Sequence, residues 1–88
     1  MMTDYDARSV YERTKMRAQE SFHKGQHAEA NKKYKDAKQY YEGALGGYKN
    51  CYNLGVLYED SGCMEESKSM MDTVQNAIDN VLGKNKDK

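Results

Sequence analysis

Two histidines four residues apart, with a carboxylate just before them, are the side chains with the plainest capacity for chemistry. Glu20, His23 and His27 follow at steps of three and four, which on a helix places them on one face, and imidazoles one turn apart can bind zinc. A zinc site wants a fuller ligand set, yet no fourth donor stands nearby and the His-Glu-x-x-His order is missing. Gly25 also falls between the histidines and weakens the helix that would align them. Ordinary surface or interhelical histidines are the expectation, with no metal and no cofactor.

A second cluster could hold nucleic acid. Lys32, Lys33, Lys35 and Lys38 alternate with Tyr34, Tyr40 and Tyr41, giving charges for phosphates and rings for base stacking. The whole chain, however, balances 14 Lys+Arg against 14 Asp+Glu for zero net charge, where a nucleic-acid-binding domain is usually strongly basic. Segment 32–41 reads as a solvated lysine face, and nucleic acid is the disfavoured partner. Gly43, Gly46 and Gly47 lack the Lys-Ser/Thr of a phosphate loop. No nucleophile, base and orienting group form a catalytic motif, so no catalytic residue is named and the chain reads as non-enzymatic. Cys51 and Cys63 would sit at opposite ends of a helix over 51–60, roughly 15 Å apart by helical rise, beyond the ~7 Å a disulfide spans. Two free thiols are expected, Cys51 in the core and Cys63 in or just after a turn.

The elements that carry these residues are helical. The 88 residues include no Pro, one Phe, no Trp, eight Tyr and six Met, suiting a single domain with a thin core. No apolar run approaches the ~20 residues of a bilayer span, and the start "MMTDYDARS" has neither the basic region nor the apolar core of a signal peptide. No membrane association and a cytoplasmic location are expected. Charge is mildly dipolar: residues 1–50 hold ten Lys/Arg against seven Asp/Glu, and 51–88 four against seven.

Periodicity is the clearest signal. His23, His27, Ala30, Tyr34, Ala37, Tyr41, Ala44 and Tyr48 recur at steps of four and three, a helical stripe alternating small and large residues. Ser67, Met70, Met71, Val74, Ala77, Ile78, Val81 and Leu82 make another, with Gly83 as its stop. Cys51, Leu54, Gly55 and Tyr58 mark a short helix between Gly46-Gly47 and Ser61-Gly62, which read as turns. In front, Thr3 and Asp6 resemble a capping box leading into Val10, Tyr11, Thr14, Ala18 and Phe22. Gly55 is expected to be a notch that lets a facing helix approach its backbone. The expected core is Tyr34, Tyr41, Leu54, Tyr58, Met71, Val74 and Ile78.

A shift of thirty residues sets Gly25 on Gly55, Glu29 on Glu59 and Lys38 on Lys68, and pairs Tyr34 and Tyr41 with Met64 and Met71. With Leu54, Gly55, Tyr58, Gly62, Ser67, Met71 and Val74 in the second unit, and Gly25, Ala28, Tyr34, Ala37, Tyr41 and Ala44 in the first, residues 21–82 resemble the tetratricopeptide repeat and its Sel1-like relatives. Cys51 replaces the usual leading aromatic, the closing proline is absent, and thirty is short of the family's ~34. The resemblance implies an all-α fold of antiparallel helical hairpins, about four helices in one domain over 1–82. Residues 4–22 would form an N-terminal helix, 23–47 and 48–82 two hairpin units, and 83–88 a disordered tail; a simple three- or four-helix bundle is the alternative. It also implies a binding groove floored by Phe22 and Gln26 from the first unit and by Lys49, Tyr52, Asn53, Val56, Glu59 and Asp60 from the second. The expected function is a small protein-interaction module, an adaptor or a stoichiometric inhibitor of a larger protein, binding through that groove or through the tyrosine-lined face of 34–48, with a homodimer also open. The alternatives are nucleic-acid binding through 32–41 and a self-assembling structural protein.

Overall fold

The computed structural model describes residues 4–86, with side chains over 8–84, and forms α1 (Asp4–Ala30), α2 (Tyr34–Leu57) and α3 (Ser61–Lys86). No strand occurs among the described residues. At ~1.5 Å per residue each helix runs roughly 40 Å, and the Cα atoms span 52 × 17 × 14 Å. Both connections are three residues long, so α2 runs antiparallel to α1 and α3 and packs against each. The all-α expectation holds, and the plain bundle is the arrangement that fits.

The middle helix shows why the chain folds this way. Its buried residues are Ala37, Tyr41, Ala44, Tyr48, Cys51 and Gly55, an unbroken four-three alternation that keeps one seam on both neighbours. Tyr11, Ala18 and Ala28 of α1 and Val74, Ile78 and Val81 of α3 complete the core, with Ser67 buried among them. Of the expected core, Tyr41, Val74 and Ile78 are buried, and Tyr34, Leu54 and Met71 pack partly buried against them. Tyr58 instead caps α2 at the surface, 36% exposed.

The two turns share one construction. Lys33 N–H donates to the Ala28 carbonyl at 2.8 Å and Lys32 N–H to that of Glu29 at 2.9 Å. In the second turn Asp60 N–H donates to Gly55 at 2.8 Å and Glu59 N–H to Val56 at 3.2 Å. This Schellman pairing closes a helix on a left-handed residue, supplied by Lys32 (φ 62°) and Glu59 (φ 55°). The next helix begins at once, the Lys33 carbonyl accepting from Ala37 N–H at 2.9 Å and that of Asp60 from Met64 N–H at 3.1 Å.

Four helices were expected at glycine-marked turns, and the chain makes three: Gly25, Gly47 and Gly55 serve packing, while Gly46 and Gly83 sit in helix with open space around them. Gly46 and Gly47 lie inside α2, Gly25 lies inside α1, and α3 passes Gly83 to Lys86. The helix expected over 4–22 therefore runs on to Ala30, the boundary between 47 and 48 falls mid-helix, and 83–86 of the expected tail are helical. Thr3 of the expected capping box and residues 87–88 lie outside the described residues. A Cβ on Gly25 would stand 2.5 Å from the Tyr41 ring, one on Gly47 2.8 Å from Ala18 Cβ, and one on Gly55 2.9 Å from Met64 Cγ and 3.0 Å from Met64 N. Each glycine costs ~1 kcal/mol of helix propensity relative to Ala, which close approach offsets. Gly55 is thus a notch, facing the first turn of α3. The stripe also misled across the first turn: His23, His27 and Ala30 are exposed, while Gly25 and Ala28 face inward.

Candidate functional site

The residues expected to floor one groove are divided between two places. Phe22 is half-buried, its ring 5.4 Å from that of Tyr41. Gln26 is exposed and lines a groove of about 350 Å³ with Phe22, Glu29, Ala77, Asn80 and Lys84. Lys49, Tyr52, Asn53 and Val56 lie further along α2, and Glu59 and Asp60 in the turn after it. Tyr41 and Val56 are separated along α2 by roughly 22 Å of helical rise, so Phe22 and Gln26 do not join the second set. Within that set Lys49, Asn53, Val56 and Glu59 are exposed and Tyr52 is half-buried. Asp60 has a structural task. Its carboxylate accepts the Cys63 N–H at 3.1 Å, capping α3, and this bond holds its pKa below the usual carboxylate range.

Each end of the bundle is clasped by a tyrosine, a glutamate and a lysine. At the α1–α2 turn end, Tyr41 Oη donates to Glu29 Oε1 at 2.7 Å and Lys84 Nζ to Glu29 Oε2 at 2.7 Å. Lys84 Nζ also stands 5.8 Å from the centre of the Tyr34 ring. The Lys84 ammonium, and then the Tyr41 hydroxyl, hold the Glu29 carboxyl below its ordinary range. Burial and the neighbouring Glu29 raise the Tyr41 phenol. At the other end Tyr11 Oη donates to Glu66 Oε1 at 2.6 Å, and Lys15 Nζ reaches the same oxygen at 3.2 Å. Glu66 is lowered by the Tyr11 hydroxyl and, against some burial, by Lys15. Burial, then Glu66, raises Tyr11. Between the clasps the Tyr48 hydroxyl is buried without a hydrogen-bond partner among the described residues.

Among the described residues no three of His, Cys, Asp and Glu converge as a metal would require, so Glu20, His23 and His27 do not form such a set. The histidines instead line an open groove of about 460 Å³ with Lys24, Ala28, Asn31, Lys33, Asp36 and Tyr40. In 32–41, Lys32 and Lys33 form the turn, Tyr41 is buried, and Tyr40 is 42% exposed. Cys51 and Cys63 are free. Burial pushes the Cys51 thiol up to about 11, and burial followed by Asp60 raises Cys63. A nucleophilic thiolate needs the opposite shift. No described helix is long and apolar enough to cross a membrane.

Val56 was among the expected groove residues, but the exposed Leu57 beside it was not anticipated. Leu57 is 69% exposed and Val56 50%, side by side at the end of α2. The run Val56-Leu57-Tyr58 contained the signal, because the four-three stripe ends on Cys51 and Gly55 and leaves Val56 and Leu57 out of step with the core. Compared with known proteins, the chain matches no family model, no curated protein and no solved structure.

Proposed function

We propose that this chain is a small non-enzymatic protein-interaction module, an adaptor or a stoichiometric inhibitor of a larger protein, working through the tip where α2 turns into α3. The observation that carries this reading is the adjacent exposure of Val56 and Leu57, 50% and 69%. Tyr52 and Asn53 lie one turn back on the same helix and Glu59 just beyond. An aliphatic centre with a polar rim and a half-buried tyrosine is the composition of a protein-binding patch. The likeness to helical repeats draws support from the two turns, which use the same backbone bonds and the same left-handed position. Two free thiols suit a reducing compartment such as the cytoplasm.

The test is site-specific photocrosslinking in native extract, with the reactive side chain at Leu57 in one preparation and at the exposed Asp72 in another. A defined adduct from position 57 that Val56→Asp removes supports the reading. The same adducts from both positions, or none from 57, would sink it.

A further inference from the structure

The chain is neutral overall but its charge is sorted along the bundle, with an open groove at one end and an exposed aliphatic pair at the other. Beside the α1–α2 turn, Lys24, Lys32, Lys33 and Lys35 are exposed. Lys24 and Lys33, with His23 and His27, rim the 460 Å³ groove, which Ala28 and the Tyr40 ring make partly apolar. Asp36 is the single acid of that lining. At the opposite end Leu57 and Val56 are exposed, the exposed Glu59 follows in the turn and the exposed Glu65 lies early in α3, while Asp60 lines a pocket with Arg8 and Lys15 of α1. Arg8, the cation nearest in sequence to the start of α1 with a described side chain, is engaged by Glu12 at 3.3 Å.

We infer that the tip of one copy docks into the groove of a second copy, Leu57 and Val56 entering between α1 and α2 while the exposed Glu59 faces Lys24 and Lys33. Charge complementarity selects the occupant, since an acid-flanked aliphatic knob and a cation-rimmed groove of matching character lie on one molecule. The contact joins different surfaces on its two sides, so each bound copy still offers a free tip and a free groove. Such a contact is heterologous and builds an open chain rather than a closed dimer. The cations surround an open groove, so their attraction is screened by salt, over ~30 Å at 0.01 M and ~3 Å at 1 M. Side-on pairing would not draw on this separation of charge, because Lys84 and Lys15 already pair with Glu29 and Glu66 of the same molecule.

This inference uses the same tip as the proposed function but rests on the purified chain alone, so its failure leaves capture of another protein untouched. Sedimentation equilibrium of the full chain at about 0.01 M salt should give an average mass that climbs with protein concentration. Near 1 M salt the association constant should fall by roughly tenfold or more. Leu57→Glu removes the knob, and Lys24→Glu with Lys33→Glu reverses the rim; all three positions are exposed, and unchanged helical circular dichroism checks the fold. Each variant alone should be monomeric. Mixed, they should form a one-to-one dimer and nothing larger, because one keeps a groove and the other a tip. A monomer at every concentration in low salt, variants that still self-associate, or a mixture that stays monomeric overturns the proposal.

Discussion

The two clasps use the same three residue types and hold different things. At the α1–α2 turn end, Glu29 of α1 binds Tyr41 of α2 and Lys84 of α3, so one carboxylate ties all three helices. At the other end Tyr11 and Lys15 both come from α1 and Glu66 from α3, and α2 takes no part. The exposed Val56 and Leu57 belong to that unclasped end of α2. The tie on α2 and its exposed aliphatic pair are thus at opposite ends of one rod: Tyr41 is bound and buried at one, and Val56 and Leu57 stand exposed at the other. Helix dipoles favour the same sorting, with Asp60, Glu65 and Glu66 near the start of α3 and Lys84 near its end.

Removing the two carboxylates in turn should produce the largest difference between the clasps. Glu29→Ala leaves the hydroxyl of the fully buried Tyr41 without its acceptor, and the Glu29 side chain is only 19% exposed. A buried group stranded from a charged partner costs about 3 kcal/mol. Glu66 is 50% exposed, so water can replace it for Tyr11, and Glu66→Ala should cost about 1 kcal/mol. Urea denaturation of both variants decides the matter, and equal losses would mean that the clasps do not differ.

Glycine notches sharpen the same contrast. Gly25→Ala drives a methyl to 2.5 Å from the Tyr41 ring, which Phe22 and Glu29 hold in place. Overpacking against an immobile ring, less the helix propensity regained, should cost about 2 kcal/mol. At Gly55 the neighbour is partly the flexible Met64 side chain at 2.9 Å and partly Met64 N at 3.0 Å. Gly55→Ala should cost about 1 kcal/mol. Gly46→Ala meets nothing within 4 Å and is the control, expected to stabilise by about 0.5–1 kcal/mol.

The pH dependence follows from the direction of each shift. Glu29 and Glu66 have folded pKa values below their unfolded ones. Their stabilisation is therefore complete above the unfolded value near ~4.3 and lost as pH falls through the folded values. Tyr11 and Tyr41 are raised, so their contribution is complete below ~10 and fades as pH climbs through the folded values. Melting temperature should fall on both flanks of a neutral plateau. Glu29→Gln should flatten the acid flank more than Glu66→Gln, and the reverse order would show that the half-exposed clasp is the stronger.

Much of the interior is legible in the sequence. The stripes over 34–48 and 67–82 named Tyr41, Ala44, Tyr48, Val74, Ile78 and Val81, because a buried face imposes its period on the residue types. The turns were not legible, because glycine has two uses that look alike in a sequence. It relieves a left-handed backbone and it lets helices touch, and here Gly25, Gly47 and Gly55 do the second while Lys32 and Glu59 bear the first. The stripe itself held the correction, since the step from Tyr48 to Cys51 to Gly55 never changes phase and a turn at Gly46-Gly47 would have broken it. The expected groove failed for a related reason. Phe22 and Gln26 were placed by analogy with a hairpin register, whereas a single long α2 puts them about four turns from Val56.

The smallest effect separates the two turns, which match in backbone but not in capping. Asp60 precedes α3 and accepts the Cys63 N–H at 3.1 Å, while Lys33, in the same position before α2, makes no side-chain cap. The first N–H groups of a helix lack partners within it, so a short acidic side chain at that point satisfies one of them and also opposes the positive end of the dipole. Lys33→Asp should therefore stabilise by about 1 kcal/mol. Lys32→Gly, relieving the left-handed lysine, should add a few tenths more, because part of the relief is cancelled by the freedom glycine brings to the unfolded chain. The reciprocal Asp60→Lys should lower stability and bring the second turn to the condition of the first. If Lys33→Asp leaves the denaturation midpoint where it was while Asp60→Lys lowers it, the two turns differ in more than their caps, and the unclasped end of α2 depends on Asp60 for more than the start of α3.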